Sequence, residues 1–268
     1  MGNDVAEECD DGAGKNTAEM EYVPAPPDPL KDALCTVDCK LVKWCGDGDV
    51  FPKKEECDDN DAETEDDDEC SDECFKPRYV FVTETMTSGN LIGDKPSGLE
   101  GADEICQTEA DAGLVALSVE GYEWRAWLAT ASLGPIDRIK DTKWNGFYKI
   151  ICGSEPESAP FLVAKGWSGL ATGNPGLLHA INCDQHGTLY TAMDTAASDR
   201  ATWSNVAIGG APKAAGNDCA GWEAANDSLF GQVGDLAQTD SQWTDDEDNF
   251  EGCLNSRRLY CVQVKIPN

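Results

Sequence analysis

The sequence predicts an α+β chain in two parts. One is a small, irregular, disulfide-rich region over residues 1–76, and the other is a larger α+β domain over residues 77–268. Three observations carry that expectation. Thirteen cysteines fall in two blocks, seven before residue 75 and six after residue 105. The first block lies in acidic, turn-rich sequence with almost no apolar periodicity, whereas the second lies among tryptophans and alternating strand patterns. Past residue 78 the order is strand, helix, long looped region and closing strand, which suits a domain whose two ends pair in one sheet.

The charge narrows the function classes. Of 268 residues, 51 are acidic and 20 are Lys or Arg, a formal net of -31. Both parts contribute, with 25 acidic against 8 basic side chains over residues 1–78. A field of this sign repels phosphate backbones and anionic headgroups, so neither nucleic acid nor a peripheral membrane surface is an expected partner. No stretch approaches the ~20 apolar residues of a membrane span. The cysteine usage expects an oxidising, extracellular or cell-surface setting. No signal peptide is legible at Met1, and the cysteine count is odd, so the reading is a piece of a longer protein in which one cysteine partner is missing.

The first part contains an internal repeat. Glu7-Glu-Cys-Asp-Asp11 recurs as Glu55-Glu-Cys-Asp-Asp59, and each copy closes on a Cys-x-x-x-Cys pair, Cys35 with Cys39 and Cys70 with Cys74. The first copy (roughly 1–40) has Met1 where the second (45–74) has Cys45, and it carries a proline-rich insertion from Glu21 to Leu30. Such a segment has too few apolar residues for a core, so disulfides must substitute. Four cysteines allow three connectivities, and the spacing does not choose among them. Oxygen-bearing side chains at Asp47, Asp49, Asp58, Asp59 and Asp61, with turns at Gly46 and Gly48, form the expected calcium site, because calcium takes six to eight oxygens in glycine-turned loops. The twelve-residue EF-hand spacing is absent. The repeat resembles a short cysteine-rich repeat found in tandem on bacterial surface proteins. The motifs that carry the resemblance are Cys45-Gly-Asp-Gly48, Glu55-Glu-Cys-Asp-Asp-Asn60 and Cys70-Ser71 to Cys74. It implies a spacer or stalk.

In the second part, Tyr79 to Thr85 is β-branched and aromatic and reads as a strand. Ser97-Gly-Leu-Glu100 fits a capping box for a helix with Ala102, Ile105, Cys106 and Ala110 at helical spacing, ended by Gly113. Trp124 to Leu128 reads as a strand, residues 130–250 as mostly loops, and Arg258 to Val264 as the closing strand. Three bridges are expected. Cys106 joins Cys261 to staple the ends, Cys219 joins Cys253 to hold the long loop, and Cys152 and Cys183 remain as the third pair.

Val80-Phe-Val-Thr83, Gly101 to Cys106, Trp124-Arg-Ala-Trp-Leu128, Asp137-Arg138 and Arg258-Leu-Tyr-Cys261 together resemble the bacterial endostatin-like domains of the wider C-type-lectin-like fold. The resemblance covers residues 79–264. It implies the fold rather than an activity, since this scaffold hosts many functions.

Candidate sites follow. Trp243-Thr-Asp-Asp246 is similar to the Trp-Asn-Asp motif of calcium-dependent sugar lectins, which implies a weak metal role for Asp245 and Asp246. The companion Glu-Pro-Asn tripeptide is missing, and a solvated acidic loop is favoured. His179, Cys183 and His186 have zinc-like spacing, but a disulfide at Cys183 is preferred. Of the loop tryptophans, Trp167 and Trp222 are the candidates for a sugar-stacking face, and the others are expected to fill the core. Arg257 and Arg258 are expected as internal ion-pair partners. Nucleophile–base motifs are missing, so no enzyme is expected. The function expected is a non-enzymatic extracellular binding or adhesion module for a glycan or protein, with calcium-stabilised repeats. The alternative is a self-associating structural subunit of a coat, filament or matrix.

Overall fold

The computed structural model describes residues 22–23, 35, 41–51, 54–60, 70–71, 73–114, 117, 120–141, 144–153, 159–171, 176–193, 195–213, 216–246 and 249–266. The chain divides into two compact units, Met1–Pro77 and Arg78–Asn268.

In the first unit, β1 (Tyr22–Val23) runs parallel to β2 (Lys43–Trp44). Two disulfides do the work of a core. Cys45 joins Cys74 and Cys57 joins Cys70, so the closing Cys-x-x-x-Cys pair reaches back to two different cysteines. Cys45, Cys70 and Cys74 are buried, with Cys57 packed against them. Cys35 is disulfide-bonded as well. The first copy of the repeat, its Pro-rich insertion and the acidic run at 61–69 lie largely outside the described residues.

The second unit holds β3 (Arg78–Val82), α1 (Gly98–Ala112), β4 (Tyr122–Ala126), α2 (Pro135–Arg138), β5 (Phe147–Ile150) and β6 (Phe161–Lys165). It continues with α3 (Gly166–Ala171), α4 (Ala197–Arg200), β7 (Ala201–Trp203), β8 (Phe230–Asp235), β9 (Phe250–Gly252) and β10 (Arg258–Lys265). The strands form one mixed eight-stranded sheet in the order β6-β5-β3-β10-β7-β8-β9, with β4 also paired to β10. The two ends of the domain meet in it, because β10 lies antiparallel to β3 with Val80 opposite Val262. The region from 130 to 250, expected as loops, contributes β5, β6, β7 and β8. Its short strands escape detection because β5 and β7 are buried on both faces and show no apolar–polar alternation.

Helix α1 follows its sequence signals. The Ser97 hydroxyl accepts the Glu100 N–H at 3.3 Å, and Gly113 closes the C-terminus. Leu99, Ala102, Cys106 and Ala110 form its buried stripe, and Cys106 is bonded to Cys261 on β10. Glu109, also buried, accepts the backbone N–H groups of Glu84 and Thr85 and so closes the turn after β3. The helix approaches the Leu91 backbone so closely at Gly101 that a Cβ there would lie 1.8 Å from the Leu91 carbonyl oxygen. Only glycine fits that position.

Tryptophans fill much of the core, and several of their buried indole N–H groups meet an oxygen acceptor. Trp124 donates to Leu117 O, Trp127 to Thr244 Oγ1, and Trp203 to Thr87 O. Cys219–Trp222 forms a left-handed turn with all four φ angles positive, 48°, 57°, 77° and 63°. It is held by the Cys219–Cys253 disulfide and by the Leu91 N–H, which donates to Trp222 O. Cys152 pairs with Cys183. Among the described residues no helix is long and apolar enough to cross a membrane.

Candidate functional site

The expected calcium loop is a carboxylate-centred turn. Asp58 accepts four backbone N–H groups, from Gly46 and Asp47 on Oδ2 (3.0 and 3.1 Å) and from Gly48 and Asn60 on Oδ1 (3.0 and 2.9 Å). The glycines permit this wrap, since Gly46 and Gly48 sit at φ 90° and 88°. Asp47 accepts the N–H groups of Asp49 and Trp44. Asp49 is ion-paired with Lys43 at 2.7 Å, and the hydrogen bond from that ammonium holds its carboxyl below the usual range. As placed, these three carboxylates meet backbone amide hydrogens and the Lys43 ammonium. Asp59 is exposed, and Asp61 lies outside the described residues.

One further acidic pair sits beneath this turn. Glu55 and Asp58 approach one another beside Cys74, whose sulfur is committed to a disulfide and so is no ligand. Glu55 is buried, and its Oε2 accepts the Phe51 N–H at 2.6 Å. Burial pushes the Glu55 carboxyl above its ordinary value, the Phe51 N–H opposes that shift, and the Asp58 charge adds to it. Tyr22, stacked on Phe51 at 5.6 Å, has its hydroxyl pushed up to about 12 by burial and by Glu55.

The lectin-like pair does not converge on an open position. Asp245 is ion-paired with Lys213. The Asp246 carboxylate accepts the Asn249 side-chain amide at 2.8 Å, and its backbone carbonyl accepts from Gln232 at 3.0 Å. His179 stacks on Phe161 at 4.7 Å, whereas His186 faces Glu84 at 3.6 Å, and Cys183 between them is disulfide-bonded. The zinc-like spacing therefore assembles no ligand set.

Trp222 departs from its expected role. It is fully buried and its indole donates to Ala129 O at 2.8 Å, so it offers no face to a ligand. The left-handed turn drives it inward, a backbone conformation that sequence pattern does not announce. Of the paired arginines, Arg257 is ion-paired with Glu251 at 2.9 Å. Arg258 is not. Its guanidinium donates to the carbonyls of Thr83 and Glu84 and lies over the Tyr190 ring at 4.0 Å.

Trp167 keeps part of its surface. It lies on α3 immediately after the edge strand β6 and packs on buried Trp127 with ring centroids 5.5 Å apart. Its six-membered ring rests against Gly210, where a Cβ would come within 2.5 Å. The Ile136 N–H donates to Gly210 O at 2.9 Å, and the Gly209 N–H donates to Ala171 O at 2.7 Å, so α2, α3 and the 206–213 loop form one surface. Leu133, Ile136 and Ile208 are exposed on it by 47%, 37% and 54%, and the Lys140 ammonium sits 5.9 Å from the Trp167 ring. Two segments of the surface fall in stretches with no Asp or Glu, 158–183 and 200–217, whereas α2 presents exposed Asp137 beside Ile136. Sequence reasoning named Trp167. It missed the three aliphatic side chains, which come from two segments, 133–136 and the 206–213 loop, brought together only by folding.

No family model matches the chain, and no curated protein matches it in sequence. The class the structure itself defines is a disulfide-rich α+β protein with one mixed sheet and few helices.

Proposed function

We propose that the chain is a non-enzymatic, extracellular binding module. In this reading a C-type-lectin-like head engages a protein ligand through the Trp167 surface, and the cysteine-rich repeats act as a spacer held by disulfides and amide–carboxylate bonds. The antiparallel pairing of β3 with β10, the Cys106–Cys261 staple and the Cys219–Cys253 loop bridge support the lectin-like assignment of the head. The disulfides support export.

The observation that carries the function is the Trp167 platform. A part-exposed indole on one surface with three exposed aliphatic side chains is an apolar patch of the kind that marks an interaction surface. Sugar stacking needs hydroxyl-binding partners beside the ring, and Leu133, Ile136 and Ile208 supply none. A protein contact is therefore favoured over a glycan.

The test is surface plasmon resonance of the intact oxidised protein against a panel of purified extracellular proteins, beside a glycan array. Trp167→Ala is expected to weaken the protein interaction at least about tenfold while leaving the melting temperature nearly unchanged. Binding that ignores Trp167→Ala removes this surface from the proposal. Hits confined to the glycan array replace the protein ligand with a sugar.

A further inference from the structure

Backbone strain in the second unit gathers in one turn. Of the six non-glycine residues at positive φ among the described residues, three are Cys219, Ala220 and Trp222, at 48°, 57° and 63°. A side chain in this region crowds its own Cβ against the following carbonyl, so L-residues visit it singly, and a run of them persists only where surrounding contacts impose it. Three contacts do so here. They are the Cys219–Cys253 disulfide, the Leu91 N–H donating to Trp222 O, and the Trp222 indole donating to Ala129 O at 2.8 Å. Asp218, just before the turn, accepts the Ala131 N–H at 2.9 Å. The turn therefore grips the 129–131 segment at both ends. Leu133 of the Trp167 surface is tied to that segment, because the Thr130 N–H donates to Leu133 O at 2.9 Å and the Leu133 N–H donates to Thr130 Oγ1 at 3.2 Å.

We infer that the Cys219–Cys253 bond is a redox latch on the Trp167 surface, which rests on the reading of that surface as the ligand-binding face. A dithiol reductant opens the bond by two exchange steps. Its first thiolate attacks one sulfur to give a mixed disulfide, and its second thiolate then displaces that sulfur. Two electrons and two protons pass to Cys219 and Cys253, and the reductant leaves as its own disulfide. Freed from Cys253, the turn relaxes to right-handed backbone, so Trp222 and Asp218 release the 129–131 segment and Leu133 loses its support. The other bridge in this core gives the comparison, since Cys106, Cys261, Cys219 and Cys253 are all 0% exposed. Two differences favour opening at Cys219–Cys253. Only this bond constrains a left-handed run, whose strain is relieved on reduction. It also lies directly beside exposed Ala220 and exposed Leu254 to Ser256, whereas Cys261 sits on β10, between β3 and β7 in the sheet.

Graded reduction of the intact oxidised chain with dithiothreitol, followed by alkylation and mass mapping, tests the latch. Cys219 and Cys253 are expected to be labelled at lower reductant than Cys106 and Cys261. Ala220→Gly removes one of the three left-handed penalties and keeps both cysteines, so it is expected to raise the reductant needed to open the pair about fivefold. Hydrogen exchange at the Ala131 amide, read by NMR with no ligand present, is expected to accelerate at least about tenfold as the pair opens. The double variant Cys219→Ser, Cys253→Ser is expected to reproduce that acceleration with the other bridges unreduced. Loss of protein binding by at least about tenfold is expected to accompany it. Labelling of Cys106 and Cys261 first or together with the pair overturns the latch. So does Ala220→Gly with a wild-type midpoint, unchanged Ala131 protection in the opened protein, or binding that survives opening although Trp167→Ala abolishes it. Binding that ignores Trp167→Ala removes the surface reading instead, and the labelling and exchange results still judge the turn.

Discussion

Asp58→Asn separates two roles for the acidic repeat. In the structure the Asp58 carboxylate takes four N–H groups, two on each oxygen, at 2.9 to 3.1 Å. An asparagine offers one oxygen. It keeps two of those bonds, loses two, and turns its own amide hydrogens toward two N–H groups. A hydrogen bond to a charged group is worth roughly 1.5–3 kcal/mol. Because the turn is only half-buried, we expect the substitution to cost about 2 kcal/mol in local stability, below the full value of two such bonds. About 2 kcal/mol corresponds to roughly thirtyfold faster amide exchange. Hydrogen exchange by NMR on the isotope-labelled chain reads this directly at Gly46, Asp47, Gly48 and Asn60, with the disulfides keeping the unit together. The wild-type pattern is expected to be the same with calcium and with a chelator, because the carboxylate is filled by amides. Protection that disappears on chelation in the wild type would refute this reasoning and restore calcium as the organising element. Unchanged exchange in Asp58→Asn would refute it too.

Two further outcomes are expected. Gly101→Ala adds a methyl 1.8 Å from the Leu91 carbonyl oxygen, so overpacking outweighs the gain in helix propensity of about 1 kcal/mol. Urea unfolding is expected to show a net loss of about 2 kcal/mol or more, and a gain would show that the Leu91 segment moves aside. Glu55 holds its proton more tightly in the folded repeat than in the unfolded chain, because burial raises its carboxyl above 4.5. The folded repeat therefore gains stability from Glu55 at low pH and loses it as pH rises through the window just above 4.5. Amide exchange in the repeat is expected to accelerate beyond its intrinsic pH dependence across that window, and Glu55→Gln is expected to flatten the difference. A wild type and variant with the same pH profile would exclude Glu55 as its source.

What the sequence by itself determined is the part encoded locally or by pairing chemistry. The cysteine count and texture separate a disulfide-held region from a folded domain. Ser97 and Gly113 bound α1, because caps are chosen by backbone groups within a turn. The β-branched, aromatic pattern at 79–85 and the alternating pattern at 258–264 announce the two strands that join the ends. The pairs Cys106–Cys261, Cys152–Cys183 and Cys219–Cys253 follow once those ends are brought together. Tertiary structure decided the rest. Strands β5 and β7 are buried on both sides and carry no period. Trp222 turns inward on a left-handed backbone, and Arg258 finds carbonyls where an acid was expected. Asp58 reads in sequence as one oxygen among several, and only the turn at Gly46 and Gly48 shows the four amide hydrogens that meet its carboxylate. The Trp167 platform joins residues far apart in the chain. Such surfaces depend on which loops meet, and that is set by sheet order and packing rather than by any local pattern.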